Sequence, residues 1–383
     1  MRHYRGVLPP LPFRVLANPR AGIPALAVLP PGGFRRARAE IGAWPGYAAT
    51  PLRELPHLAD RLGIGALRLK DETARFGLGT AKALGACHAV AEALRTALAR
   101  AGVAAAASAE ELASGRHAAA LRAITLCCAS AGNHGRAVAW VARRFGVACT
   151  VFVPDGIAPV AAAAIAAQGA ALQRISGSYD EATHAAAKAA RRPGWLLVPD
   201  SSWPGMTEPP RAVMQGARVM AAEAAEQWTG APPTHVFVQA GVGGIAAAVS
   251  VQLRAAWNPA PALVVVEPEG AACLQASAEA GELTALPGPF DTGMGPLACG
   301  TPSLLAWQEL DRASAFFIAL PDAAAAAAVE MLAAEALATR LAGAAGLAGL
   351  LLAAGDPAAR ETLGLNVTSR VLGFVTEGPP GGG

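Results

Sequence analysis

From Thr50 onward, apolar and polar positions follow two alternating periods. Short apolar and β-branched runs at Ala66–Lys70, Ile124–Ala129, Ala148–Val153, Leu172–Ile175, Trp195–Val198, His235–Gln239 and Ala262–Val266 predict strands. Between them, apolar residues return at helical spacing over Lys82–Arg100, Gly135–Phe145, Ala158–Gln168, Tyr179–Ala190, Ala212–Gln227 and Ile245–Trp257. Pro51–Leu62 also carries helical spacing, through Leu52, Leu55, Leu58 and Leu62. This β-α order predicts the α/β class, with mostly parallel sheets covered by helices on both faces. Residues 1–50, rich in Pro, Gly and Arg, predict an irregular arm over the surface. Residues 101–120, Ala-rich with several charges, predict a helical insertion or a mobile loop. The apolar stretch Leu341–Gly355 is too short to span a bilayer, and its Ala and Gly predict a buried helix with close backbone neighbours. The final GPPGGG cannot pack and predicts a frayed tail.

A length of 383 residues suggests two domains, and 53% hydrophobic against 15% charged residues fits large cores. The net charge of +3 comes with no dense Lys/Arg block, which argues against a nucleic-acid partner. The first residues carry early arginines but no apolar run ending at a cleavage site, so a cytoplasmic protein without a membrane role is expected. None of the six cysteines forms a C-x-x-C pair, and no metal site is expected. They suit small buried hydrophobes in a reducing compartment. Cys273 and Cys299, both in Gly/Pro-rich sequence, are the pair that could form a disulfide.

Ligands of such folds sit at the carboxyl ends of strands. Four motifs stand there. In the first, a strand ends in Lys70-Asp71-Glu72, a Gly loop follows, and Lys82 opens a helix. A lysine among unpaired N–H groups at the positive end of a helix dipole favours the neutral amine that a nucleophile needs. A solvated lysine at a helix start is the plain alternative. The second motif, Ser130-Ala131-Gly132-Asn133-His134-Gly135, offers donors able to grip a carboxylate, with Asn133 able to donate to a phenolate oxygen; an ordinary capping turn reads equally well. The third, Gly241-Val242-Gly243-Gly244-Ile245, follows a strand and precedes a helix, as a phosphate cradle does. It also fits a dinucleotide fingerprint, with Glu267 as the ribose-binding acid, which would make the chain a nicotinamide-dependent dehydrogenase. In the fourth, the strand at Val371–Gly378 ends in Thr376, a hydroxyl able to face a pyridine nitrogen or merely to cap.

In this order the four motifs resemble the fold-type-II (tryptophan-synthase-like) pyridoxal-phosphate enzymes. Pro45–Leu52 (PGYAATPL), Lys70–Leu78 (KDETARFGL), Lys82–Val90 (KALGACHAV), Gly132–Trp140, Gln239–Gly244, Val265–Leu274 and Pro296–Gly300 are most similar to the diaminopropionate ammonia-lyase branch. The resemblance implies pyridoxal 5'-phosphate as cofactor and Lys82 as the residue that carries it. It further implies Asn133 at the ring oxygen, Gly241, Val242, Gly243 and Gly244 at the phosphate, and Thr376 at the pyridine nitrogen. Ser130, Ala131, Gly132 and His134 would hold the substrate carboxylate, and Asp200 would take the α-proton. It implies a large cofactor domain of residues 1–84 and 201–383, a smaller mobile domain of residues 85–200, a homodimer, and elimination of ammonia from 2,3-diaminopropionate. This chain also departs from the branch. Ala131 stands where an Asp associated with the D-enantiomer is usual, Ala81 replaces a Phe before the lysine, and the acidic residue near Gly343–Gly346 is missing. An alanine cannot abstract a proton, so action on the L-isomer alone is expected. Serine or threonine dehydration, another β-elimination or replacement, and a non-catalytic scaffold are the other outcomes the pattern allows.

Overall fold

A computed structural model describes residues 11–379. The expected absence of a cleavable leader, and fraying at 380–383, fall wholly or partly outside that range.

Among the described residues, eleven strands form two sheets. They are β1 (Arg14–Ala17), β2 (Leu52–Glu54), β3 (Ala66–Asp71), β4 (Thr125–Ala129), β5 (Ala148–Pro154), β6 (Ala171–Ile175), β7 (Trp195–Leu197), β8 (His235–Gln239), β9 (Ala262–Pro268), β10 (Ser314–Leu320) and β11 (Arg370–Val375). The larger sheet has seven strands in the order β1-β10-β9-β8-β11-β3-β2, parallel except for its antiparallel edges β1 and β2. The smaller has four parallel strands in the order β6-β5-β4-β7. Central β8 is buried at every position, as expected of a parallel strand covered on both faces. In β4 the neighbours Cys127 and Cys128 pack into different clusters. Cys127 falls in one cluster with Tyr179 and Ala182 of the helix Tyr179–Ala189, whereas Cys128 joins Val138 and Val141 of the helix Asn133–Phe145. The period of two along a strand accounts for this split.

The expected helix over Pro51–Leu62 begins only at Pro56. Proline suits the first turn of a helix and biases the residue before it toward extended backbone. The segment before it becomes β2, paired with Arg68–Lys70 of β3. The expected irregular arm is also corrected. Besides β1 it contains a helix, Pro31–Gly42, which buries Ala37 and Ile41 and packs on the helix Glu208–Gln227. Its apolar stripe is one residue wide on an otherwise Arg-rich segment, which is why its period was weak. Residues 101–120 hold two short helices, the first closed by a capping box at Ser108 and Glu111.

Leu341–Gly355 is a helix buried at every position from Ala342 to Ala354. Its glycines face strands closely: a Cβ on Gly349 would lie 2.8 Å from Val266 Cγ2, and one on Gly346 would lie 3.3 Å from the Phe237 carbonyl. No single helix among the described residues is long and apolar enough to cross a membrane. All six cysteines are free and buried, as the reading of small buried hydrophobes expected, and the Cys273–Cys299 disulfide that the sequence allowed is absent. Both thiols lie against Gly241. Burial raises their pKa values, so the thiolate needed for exchange is scarce.

Candidate active site

The carboxyl ends of strands from both sheets open onto one cleft. Its lining contains every residue the sequence nominated: Lys82, Ser130, Ala131, Gly132, Asn133, His134, Asp200, Gly241, Val242, Gly243, Gly244 and Thr376. Each stands on the loop after a strand or on the first turn of the helix that follows, as β-α connections in parallel sheets require.

Lys82 is the first residue of the helix Lys82–Arg100. Its Nζ donates to Asp200 Oδ2 at 2.6 Å, and Tyr179 Oη donates to Asp200 Oδ1 at 2.7 Å. Burial alone would raise the Asp200 pKa. The Lys82 charge, His134 and the two hydrogen bonds outweigh it and hold this carboxyl well below the usual carboxylate range. Burial and the Asp200 charge hold Tyr179 as a phenol, its pKa well above the ordinary value. Tyr179 was not nominated from sequence, because a tyrosine opening a helix is an ordinary core residue until its partner is known.

The Ser130 loop closes tightly. Ser130 Oγ accepts from the Gly132 N–H at 2.9 Å, and a Cβ on Gly135 would lie 2.8 Å from Ser130 Cβ. His134 Nε2 donates to the Val198 carbonyl at 2.7 Å, which leaves Nδ1 as a buried acceptor without a partner. Burial lowers the His134 pKa, so the ring is neutral. Asn133 is engaged at both ends of its amide. Nδ2 donates to Glu377 Oε2, while Oδ1 accepts from Arg136 Nη2 at 3.2 Å and Arg340 Nη2 at 3.4 Å. Arg340 Nη2 also pairs with Glu377 Oε2 at 2.5 Å. Glu377 and Arg340 carried no sequence signal beyond the place of Glu377 in the Thr376-Glu377-Gly378 strand end.

The glycine loop is shaped for a close ligand. Gly243 has φ +94°, and a Cβ there would crowd Ala306 and Leu310 at 3.1 Å. The helix Gly244–Ala256 that it opens has no side-chain cap, so its first N–H groups are available to an anion. Beside it, Gln239 Nε2 donates to Thr376 Oγ1 at 2.8 Å, so the Thr376 hydroxyl hydrogen is free to donate. Gln239 Oε1 and Glu377 Oε1 are buried acceptors with no partner. Glu267, the acid that the dinucleotide alternative requires, is fully buried. Its oxygens accept from the N–H groups of Leu274 and Gln275 at 2.8 Å each, leaving none for a ribose. A phosphate cradle, an amine, a hydroxyl donor and unpartnered buried acceptors around one cleft fit pyridoxal phosphate.

Comparisons with known proteins give the family. The family of pyridoxal-phosphate dependent enzymes matches residues 43–369. Diaminopropionate ammonia-lyase of Salmonella typhimurium is 36% identical over 291 residues, covering 74% of this chain and 71% of that protein. The Escherichia coli K12 protein of the same name is 34% identical, covering 75% and 71%. Among solved structures, Escherichia coli diaminopropionate ammonia lyase in complex with D-serine superposes with a TM-score of 0.88 at 31% identity, covering 97% of this chain and 95% of that one. Its complex with an aminoacrylate-PLP azomethine reaction intermediate gives 0.85 at 30% identity, with the same coverage.

Proposed function

The chain belongs to the pyridoxal-phosphate dependent enzymes, and from that premise we propose that it is an ammonia-lyase converting L-2,3-diaminopropionate and water to pyruvate and two molecules of ammonia. The carrying observation is the cleft in which Lys82 Nζ, 2.6 Å from Asp200, stands with the glycine cradle and the Ser130 loop.

Bound there, the cofactor would supply an electron sink for the electron pair left on the α-carbon when its proton departs. Lys82 would hold it, the Gly241–Gly244 backbone its phosphate, Asn133 its ring oxygen and the Thr376 hydroxyl its pyridine nitrogen. The Ser130–His134 loop would orient the substrate carboxylate. Asp200 accepts the α-proton. Its low proton affinity depends on the Lys82 charge. Burial raises the basicity of Asp200 whenever the charge on Lys82 is absent, so a neutral Lys82 amine leaves Asp200 better able to take the proton. Lys82, when free, can return a proton to the leaving β-nitrogen. Ala131 offers no base on its side of the cleft, which supports action on the L-isomer alone.

The division into residues 85–200 against 1–84 and 201–383 is supported by the smaller sheet, built wholly from residues 125–197. A cytoplasmic location fits the six unpaired cysteines, and a homodimer follows from the family resemblance.

A panel of L- and D-2,3-diaminopropionate, L-serine and L-threonine, with 2-keto acid and ammonia both measured, tests the proposal. Two ammonia per pyruvate, with the L-diamine turned over fastest, is expected. Comparable turnover of the D-isomer sinks the stereochemical claim. Faster turnover of L-serine or L-threonine moves the assignment to a dehydratase, the second reading, which Ala131 favours.

A further inference from the structure

Asn133 lies on the helix that follows β4 of the smaller sheet, whereas Glu377 and Arg340 belong to segments flanking the larger one. Their contact therefore crosses the cleft. An amide has two N–H bonds and one carbonyl, and rotation by half a turn exchanges them. Here that rotation is blocked at both ends, because Glu377 Oε2 takes one N–H while two guanidinium groups hold the oxygen. Only the second N–H is left for a ligand. The charges fit the same arrangement. Arg136 is buried, Arg340 is about a quarter exposed, and Glu377 is the carboxylate that meets Arg340 beside Asn133. Replacing that carboxylate with a neutral group would leave the guanidinium pair without its counter-charge and would free the amide to turn.

We propose that Glu377, clamped by Arg340, is a positioning residue that fixes the Asn133 amide with its free N–H toward the ring oxygen of the cofactor. The inference rests on the cofactor site described above and adds a residue that acts through Asn133. The coupling also ties cofactor binding to apposition of the two sheets, since the two sides of the contact belong to different sheets.

The test is a double-mutant cycle on cofactor affinity. Apo forms of wild type, Glu377→Gln, Asn133→Ala and the double variant are titrated with pyridoxal 5'-phosphate, and the pH dependence of the visible absorption band is recorded for each. Glu377→Gln is expected to weaken cofactor binding by about tenfold, and by less than about twofold once Asn133 is Ala. It should also displace the pH at which the band changes in the same direction as Asn133→Ala, which a merely structural role would not do. Arg340→Met provides a second route if Glu377→Gln does not fold, with the same direction and the same loss of effect in the Asn133→Ala background. Wild-type affinity in Glu377→Gln, or losses that multiply independently, overturns the inference while leaving the cofactor site intact. Failure of the wild type to bind the cofactor overturns both.

Discussion

Asp200 works against its surroundings. A carboxylate this buried would ordinarily take up a proton, and it stays ionised because Lys82 and Tyr179 both donate to it. The same two contacts separate its two tasks, pairing with the resting amine and receiving a proton. Asp200→Asn keeps the shape of the group and removes the basicity. It should lower the rate of 2-keto acid formation by about 10²- to 10⁴-fold, while the visible cofactor band persists because Lys82 is untouched. Tyr179→Phe removes one donor to a buried charge and should cost less, about 10- to 100-fold. A band lost in Asp200→Asn would instead assign Asp200 to holding the cofactor. Glu267 teaches the opposite lesson at this scale. It sits at the strand end where a ribose-binding acid belongs, yet two backbone N–H groups claim it, and spacing alone could not reveal that.

At the level of elements, the sequence was most legible where one face was clearly apolar. The helix Lys82–Arg100 and strand His235–Gln239 have the bounds their periodicity implied. The helix Pro31–Gly42 and strand Leu52–Glu54 did not declare themselves, because their form depends on the helix Glu208–Gln227 and on β3, which are distant in sequence. The nominated site residues stood at strand ends, where topology locates them. Gln239, Glu377, Arg340 and Tyr179 were silent because their roles are contacts with other loops. The helix Leu341–Gly355 was legible in composition, and its packing gives the small residues a reason. Gly349→Val would place methyl groups into Val266, with a Cβ already only 2.8 Å from Val266 Cγ2. Overpacking of that kind costs about 1–3 kcal/mol, more than the few tenths of helix propensity gained over Gly. Thermal unfolding of Gly349→Val should show a lowered melting temperature, and a melting temperature equal to wild type would show that the strand below gives way freely.

The two sheets meet at one cleft, and charge is also buried outside its lining. Arg75 meets Glu72 and Glu223, and Lys70 also pairs with Glu223, tying β3 and the segment before Lys82 to the helix Glu208–Gln227. Such burial makes overall stability a function of pH through groups whose proton affinity changes on folding. His134 and His235 are held below the ordinary imidazole pKa by burial, each donating one ring N–H to a backbone carbonyl. Below about pH 6.5 the unfolded chain takes up protons that these folded rings refuse, so stability present above that pH is lost as the pH falls. Glu267 acts in the other sense. Burial pushes its carboxyl up to about 8, so the folded chain keeps a proton that the unfolded chain has released, and stability is lost as pH rises toward that value. Each group contributes a slope of at most about 1.4 kcal/mol per pH unit. The two limbs together predict a melting temperature that peaks near neutrality and falls on both sides. His235→Gln should flatten the acid limb and Glu267→Gln the limb above neutrality. Scanning calorimetry from pH 5 to 9 on the three proteins checks this. An acid limb unchanged in His235→Gln would place the lost stability in another group, and an alkaline limb unchanged in Glu267→Gln would show that the two helix N–H groups keep Glu267 ionised despite its burial.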